Sequence, residues 1–319
     1  FKFTTDHKVV GLQYLVVTMF LLGLGGLLAM LIRTELGVTW AEVFSPSFYN
    51  SMIGTHGIAM ILAMILAVMG PIANFIFAAV LVALLAGIVG TANLIVGARI
   101  GEVLDEHLKL GGDRFRGIRL LGTNDPHPEI RNGYNDPPAD MFSSNGFREG
   151  YAELGKRNLT FEGWCFHHQI PLLTDLAREY PNITMILDHF GGPIGIGPYA
   201  DKQDEVFDLW RQNIADLAEC ENVVAKLGGI NMKVNGFNWH KNSKPPTSEE
   251  LCEETRRYYE HTIECFGVAR CMFESNFPVD KITCSYHTLW NSFKRLTENY
   301  STDEKSQLYH DTAARVYRI

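Results

Sequence analysis

The sequence predicts an α/β fold on a parallel sheet, preceded by membrane-spanning helices. Three observations lead there. Before Arg99 the only basic residues are Lys2, Lys8 and Arg33, and the only acidic ones are Asp6, Glu35 and Glu42. From about residue 86, short apolar runs alternate with amphipathic helical stretches, the pattern of strand–helix–strand units. Several of those runs end in polar residues at the same, C-terminal, edge.

Residues 11–32 form an uncharged stretch long enough to cross a bilayer core as a helix. Lys2 and Lys8 precede it, which favours a cytoplasmic N-terminus. The run is too long for a secretory signal, and no clean small-residue cleavage site follows it. Gly23, Gly25 and Gly26 supply small residues that let helices approach closely. Residues 53–73 form a second apolar stretch, and 75–89 a shorter, Ala-richer third one, which either spans a membrane or packs against the following domain. His56 lies in the second. An imidazole there is costly and needs a partner. It is either a haem axial ligand or a histidine satisfied by a neighbour or interfacial water.

The candidate strands that follow are 87–94, 115–120, 159–166, 184–188, 222–227 and 270–273. Residues 204–218 place Val206, Leu209, Trp210, Ile214 and Leu217 on one helical stripe. A second helix starts at Ser248 with Glu249 and Glu250 in its first turn, and a third at Thr302 with Asp303 and Glu304, where carboxylates suit the helix dipole. Residues 122–147, rich in Pro, Asn, Asp and Gly, read as a long loop.

A chain of 319 residues, 46% hydrophobic and 20% charged, sustains a packed core. A net charge of −8 argues against a nucleic-acid partner, which would require a basic patch. All six cysteines lie after residue 160, with no C-x-x-C pair. That spacing suggests neither a zinc knuckle nor a disulfide framework and suits reduced thiols in a cytosolic domain.

Polar groups at strand ends point to chemistry. They are Arg116 and Arg119, His167 and His168, Asp188 and His189 before Gly191-Gly192, Lys226 before Gly228-Gly229, and Glu274-Ser275-Asn276. In α/β barrels the active site sits at the C-terminal ends of the strands. Taken singly, each residue has a plainer reading. A strand-end histidine is more often a satisfied polar group, Lys226 snorkels or pairs with a carboxylate, and the arginines hold surface ion pairs. The recurrence at one edge is what favours a site.

Two resemblances add to this reading. Asp6-His7-Lys8, Leu31-Ile32-Arg33-Thr34-Glu35-Leu36, Phe44-Ser45-Pro46, Tyr49-Asn50 and Thr55-His56-Gly57 resemble the start of subunit I of haem-copper cytochrome c oxidases. The resemblance covers about residues 4–75 and would make His56 a haem ligand. The family's later helices, with its copper ligands and the second haem histidine, have no counterpart here, so the chain is not itself expected to be an oxidase. Residues 86–319 resemble the amidohydrolase-related TIM-barrel hydrolases through six motifs. These are Ala86-Gly87-Ile88-Val89-Gly90 with Ala92-Asn93-Leu94, Arg114-Phe115-Arg116-Gly117-Ile118-Arg119, Leu187-Asp188-His189-Phe190-Gly191-Gly192-Pro193, Val223-Val224-Ala225-Lys226-Leu227-Gly228-Gly229, Phe273-Glu274-Ser275-Asn276-Phe277-Pro278-Val279-Asp280, and Thr312-Ala313-Ala314-Arg315-Val316-Tyr317-Arg318.

The second resemblance implies an incomplete (β/α)8 TIM-like barrel that lacks its first strand, with residues 76–85 as the junction to a membrane segment at 1–75. It implies attack of an activated water on a lactone, amide or ester carbonyl, with a divalent metal, zinc or manganese, in some members and polar side chains alone in others. Catalytic roles fall on His189, Asn276 and His167, a metal contact on His189, and substrate binding on Arg116, Arg119 and Lys226. Two departures matter. No His-x-His occurs in the sequence, and Ser275-Asn276 stands where the family has Ser-Asp. An amide is neither a general base nor a good zinc ligand, which leaves Glu274 and Asp280 as nearby carboxylates. The expected partners are a carboxylate-bearing small molecule, membrane lipid and a second copy in a homo-oligomer. The expected location is the membrane, with the C-terminal domain on the cytoplasmic side. The alternatives are a membrane-anchored binding module and a chimera joining an oxidase fragment to a hydrolase fragment.

Overall fold

A computed structural model describes residues 7–37, 45–64, 86–132 and 136–319. The chain divides into two compact units, Phe1–Leu85 and Ala86–Ile319.

The first unit holds two helices, α1 (His7–Gly37) and α2 (Pro46–Met64). Ser45 starts α2 by accepting the Phe48 N–H on its Oγ, with proline at the first helical position, where its missing N–H costs nothing. Among the described residues one helix is long and apolar enough to cross a membrane, through Val17–Thr34. Met19, Phe20, Leu27 and Met30 lie exposed along it, a surface that suits lipid better than water. Helix α2 begins ahead of the predicted second stretch. The rest of that stretch, and residues 75–85 of the third, lie outside the described residues, while Ile88 and Val89 belong to the second unit's sheet. Of Gly23, Gly25 and Gly26 in α1, only Gly25 meets α2: a Cβ there would sit 2.7 Å from Met60 Sδ. Gly23 and Gly26 face open space.

The second unit is built on six parallel strands paired in chain order: β1 (Ile88–Gly90), β2 (Phe115–Leu121), β3 (Thr160–Trp164), β4 (Met185–Leu187), β5 (Val223–Leu227) and β6 (Cys271–Phe273). Each falls within or overlaps a predicted segment. Helical crossovers join them: α3 (Ile100–Gly111), α4 (Asn145–Lys156), α5 (Ile170–Glu179), α6 (Gln203–Ala218) and α7 (Ser248–Phe266). After β6 come α8 (Tyr286–Leu296), α9 (Thr302–Ser306), a π-turn and α10 (Thr312–Tyr317). Reciprocal caps open two of the predicted helices: Thr247 with Glu250 before α7, and Ser301 with Glu304 before α9. The predicted loop ends earlier than expected, because Ser144 caps α4 by accepting the Phe147 N–H. All six cysteines are free thiols, five of them buried.

Alternation along the strands separates two faces. On one, Phe161, Met185, Leu187, Val223 and Cys271 pack against the crossover helices through Leu173, Trp210, Ile214 and Ile263. On the other, Ile186, Val224 and Met272 pack against Ala313, Val316 and Tyr317. Helix α10 thus covers the concave face of a curled sheet in which, among the described strands, β1 and β6 each pair on one side only. The β1–β2 register skips Arg116, which sits at a bulge. Its guanidinium leaves the strand ends and donates to the carbonyls of Tyr317 and Arg318. These donors, expected to bind substrate, are engaged with the backbone at the end of α10.

Candidate active site

After β4 the chain turns sharply through His189, Phe190, Gly191 and Gly192, all with positive φ. Backbone of that kind is strained for His and Phe. It is held from outside by buried Trp210, whose Nε1 donates to the Phe190 carbonyl at 2.6 Å. The turn drives the His189 imidazole into a buried polar cluster. Glu274, just past β6, puts Oε1 2.6 Å from His189 Nδ1, an electrostatic contact rather than an aligned hydrogen bond. Arg119 on β2 brings Nη2 to 2.7 Å from His189 Nε2 and Nε to 2.8 Å from Asp188 Oδ2. Lys226 on β5 lies 2.7 Å from Glu162, 3.4 Å from Asp188 and 3.7 Å from Glu274. Tyr317 donates to the other Glu162 oxygen at 2.5 Å. Gly229 is required here: its φ is +78°, and a Cβ on it would lie 2.4 Å from His189 Nδ1. Arg119, Glu162, Lys226, Glu274 and Tyr317 line a cavity of about 400 Å³.

Burial would raise the Glu274 carboxyl, but His189, Lys226 and Arg119 outweigh it and hold the group at about 2. Burial pushes the Asp188 carboxyl up, against the pull of Lys226, His189 and Arg119. Burial works against the Lys226 ammonium too, yet Asp188, Glu274 and Glu162 hold its pKa well above the ordinary lysine value. For His189, burial lowers the proton affinity, and Glu274 and Asp188 more than restore it. A second proton, however, would sit on Nε2 facing the Arg119 N–H at 2.7 Å, two donors in opposition. While Arg119 stays there, His189 is the neutral tautomer with its proton on Nδ1.

The fold therefore brings together three of the predicted residues, His189, Arg119 and Lys226. His167, expected to face the same pocket, is buried elsewhere: its Nδ1 accepts the Ile194 N–H and its ring packs edge-on against His168 and Tyr199. Burial pushes its pKa down to about 4, so the ring is neutral at ordinary pH. Asn276 spends its amide on Asp280 Oδ1 at 2.9 Å. Sequence reasoning gave no role to Glu162 or Tyr317. Glu162 had a signal, a lone carboxylate inside the apolar strand β3, which a buried position obliges to find a cation.

The residues present do not fit a divalent metal. His189 has both nitrogens engaged, Asn276 is held by Asp280, and no group of three His, Cys, Asp or Glu side chains among the described residues is arranged to hold an ion. The haem expectation at His56 is likewise unsupported. Its Nδ1 contacts the Gly25 carbonyl at 2.8 Å, which orients the ring, but the described residues bring no second histidine to it.

Asp280 gives the site unit a pH signature. Burial pushes its carboxyl up to about 7, against the Asn276 bond and His189. Its unfolded value is about 3.9, so the folded state binds the proton more tightly. The resulting stability is complete below about pH 4 and is lost as pH rises to about 7. Glu274, held at about 2, has the opposite sign: its contribution is present above about pH 4.3 and is lost as pH falls toward 2. Urea unfolding of Asp280→Asn is expected to show a flatter pH dependence between 4 and 7 than the wild type. Parallel curves would contradict the assignment.

Comparison with known proteins places the chain. It is 36% identical over 233 residues to the uncharacterized protein y4mH of Sinorhizobium fredii, covering 73% of this chain and 70% of that one. It is 26% identical over 174 residues to an L-fucono-1,5-lactonase of Burkholderia multivorans, 54% of this chain and 56% of the lactonase. A separate similarity, 38% over 77 residues, is to cytochrome c oxidase subunit 1 of Thermostichus vulcanus, 24% of this chain and 14% of that subunit. A zinc-bound amidohydrolase structure from Burkholderia multivorans shares the fold, with a TM-score of 0.61 at 22% identity over 77% of this chain and 78% of that one. The amidohydrolase family model matches residues 41–319, and the chain belongs to that family.

Proposed function

We propose that the unit at residues 86–319 hydrolyses a lactone, amide or ester carbonyl of a small molecule that carries a carboxylate, with His189 as the base. The observation that carries this reading is Glu274 at 2.6 Å from His189 Nδ1. A carboxylate there keeps the proton on Nδ1 and leaves the Nε2 lone pair to take a proton from water. In the ligand-free arrangement Arg119 covers that lone pair. Its side chain is about one-third exposed and lines the cavity. A substrate carboxylate, a better partner for a guanidinium than a neutral imidazole, draws Arg119 away and uncovers the base. Water then loses a proton to Nε2 as its oxygen attacks the carbonyl carbon. The tetrahedral oxyanion collapses, the bond to the leaving oxygen or nitrogen breaks, and the proton on Nε2 passes to that atom.

The lactonase similarity favours a lactone or related ester. The apolar helix through Val17–Thr34 and the oxidase similarity favour attachment to a membrane. The same oxidase similarity favours a second reading, a junction between fragments of two genes. A single DNA molecule read through the codons for residues 50–110 decides it: an unbroken read supports the tethered enzyme, and failure to find one supports the junction.

The hydrolase reading is tested with the p-nitrophenyl half-ester of succinate against neutral p-nitrophenyl acetate. His189→Gln is expected to lower kcat by about 100- to 10,000-fold. Arg119→Met is expected to raise KM for the succinate ester about tenfold or more, with no such rise for the acetate ester, which carries no carboxylate to anchor. Equal losses on both esters remove the anchoring role, and turnover by His189→Gln at the wild-type rate removes the base.

A further inference from the structure

The loop after β5 closes a second cavity, of about 630 Å³, against the start of α6 and the first half of α7. It shares no lining residue with the cavity beside Lys226. Gly236 sets the path of the loop: its φ is +84°, and a Cβ on it would lie 2.2 Å from the Gly195 carbonyl oxygen. Asn238 then donates its amide to the Gly236 carbonyl at 2.8 Å. The turn brings Phe237 and Trp239 out near-parallel on the cavity wall, 11° between planes and 6.2 Å between ring centres. Tyr258 of α7 meets Phe237 edge-on. Two polar atoms of the wall are covered and have no partner among the described residues. Asn235 is 6% exposed; its Nδ2 donates to the Pro193 carbonyl at 2.9 Å, and its Oδ1 accepts nothing. Trp239 Nε1 donates to nothing. An orphaned acceptor and an orphaned donor on one wall are costly to the fold, and a ligand that meets both removes the cost. The charge on the wall is unbalanced as well. Glu253 and Glu254 lie exposed on it. The neighbouring arginines are spent elsewhere, Arg256 on Glu260 and Arg257 on Asp204, each at 3.1 Å. The Arg257 guanidinium already lies over Phe207 and Tyr258, 4.4 and 5.3 Å from the ring centres, so the aromatic groups at this end of α7 accept a cation.

We propose that this cavity binds a small organic ammonium compound that also carries a hydroxyl group. The ammonium lies against the rings of Phe237 and Trp239, donates to Asn235 Oδ1 and takes its countercharge from Glu253 and Glu254. The hydroxyl oxygen accepts the Trp239 indole N–H. A neutral polyol would meet the two orphaned atoms but leave the two carboxylates without a countercharge, and an anionic ligand would be repelled by them. The inference does not depend on the hydrolase reading, because its test reads binding rather than turnover.

The experiment is isothermal titration calorimetry of the full detergent-solubilised chain at neutral pH with two probes that share a carbon frame, 2-amino-1-phenylethanol and 1-phenylethane-1,2-diol. They differ only in an ammonium against a hydroxyl. The amino alcohol is expected to bind about tenfold or more tightly than the diol. Replacing both carboxylates, Glu253→Gln with Glu254→Gln, is expected to remove that preference; both side chains are exposed, so the fold does not depend on them. Trp239→Phe keeps an aromatic ring and loses the N–H, and is expected to weaken the amino alcohol about fivefold or more. The proposal is overturned if the diol binds as tightly as the amino alcohol, if neither binds, or if the preference survives loss of both carboxylates. It is also overturned if Trp239→Phe binds the amino alcohol as the wild type does.

Discussion

Three carboxylates held away from water around one ammonium are the constraint on which the site unit is arranged. Buried charges persist only when paired, so every element that touches the cluster is placed to supply a partner. Strand β2 brings Arg119, β5 brings Lys226, the β4 turn brings His189 and α10 brings the Tyr317 hydroxyl. Helix α10 is in turn tied down away from the cluster, where Arg116 holds the carbonyls of Tyr317 and Arg318, and Arg318 reaches the Asn158 carbonyl. The concave face is therefore fixed at two levels, an apolar floor of Ile186, Val224 and Met272 and an ionic layer toward the strand ends.

The same constraint explains why strain is tolerated after β4. His189 and Phe190 adopt conformations that cost energy for residues with a Cβ. The turn is over-determined by the Trp210 hydrogen bond outside and the ionic contacts of His189 inside. Gly229 completes the fit by leaving room for the imidazole on the next strand's loop. A relaxed turn would leave Glu274 and Arg119 without the group that lies between them.

Much of this fold was legible in the sequence, because short apolar runs punctuated by Gly, Asn and Asp mark buried parallel strands whatever surrounds them. Arg119, Lys226 and His189 were legible for a related reason: a polar residue closing an apolar strand has a position set by local geometry. Arg116, three residues before Arg119, looked equivalent and is not, since a bulge visible only in the β1–β2 register turns it toward the chain's last residues. Asn276 and His167 looked like site residues because of their motifs, but each is consumed by a neighbour, Asp280 and the Ile194 N–H. Tyr317 could not be found from sequence, as its partner Glu162 lies 155 residues away and they meet only when α10 settles on the sheet. In the first unit the apolar stretch of α1 was plain, whereas which of Gly23, Gly25 and Gly26 meets α2 depends on how the helices rotate, and it is Gly25.

The central claim is that Arg119 and Lys226 carry the fixed positive charge of the pocket and leave His189 neutral, protonated on Nδ1. Nitrogen-15 NMR of the histidine side chains in the full chain, with His189 assigned through His189→Gln, measures this directly. The account predicts at neutral pH an Nδ1 shift typical of a protonated nitrogen and an Nε2 shift typical of a lone-pair nitrogen accepting a hydrogen bond. Two protonated nitrogens on His189 would contradict it, since the imidazolium would then be the pocket's cation and Arg119 could not lie against Nε2.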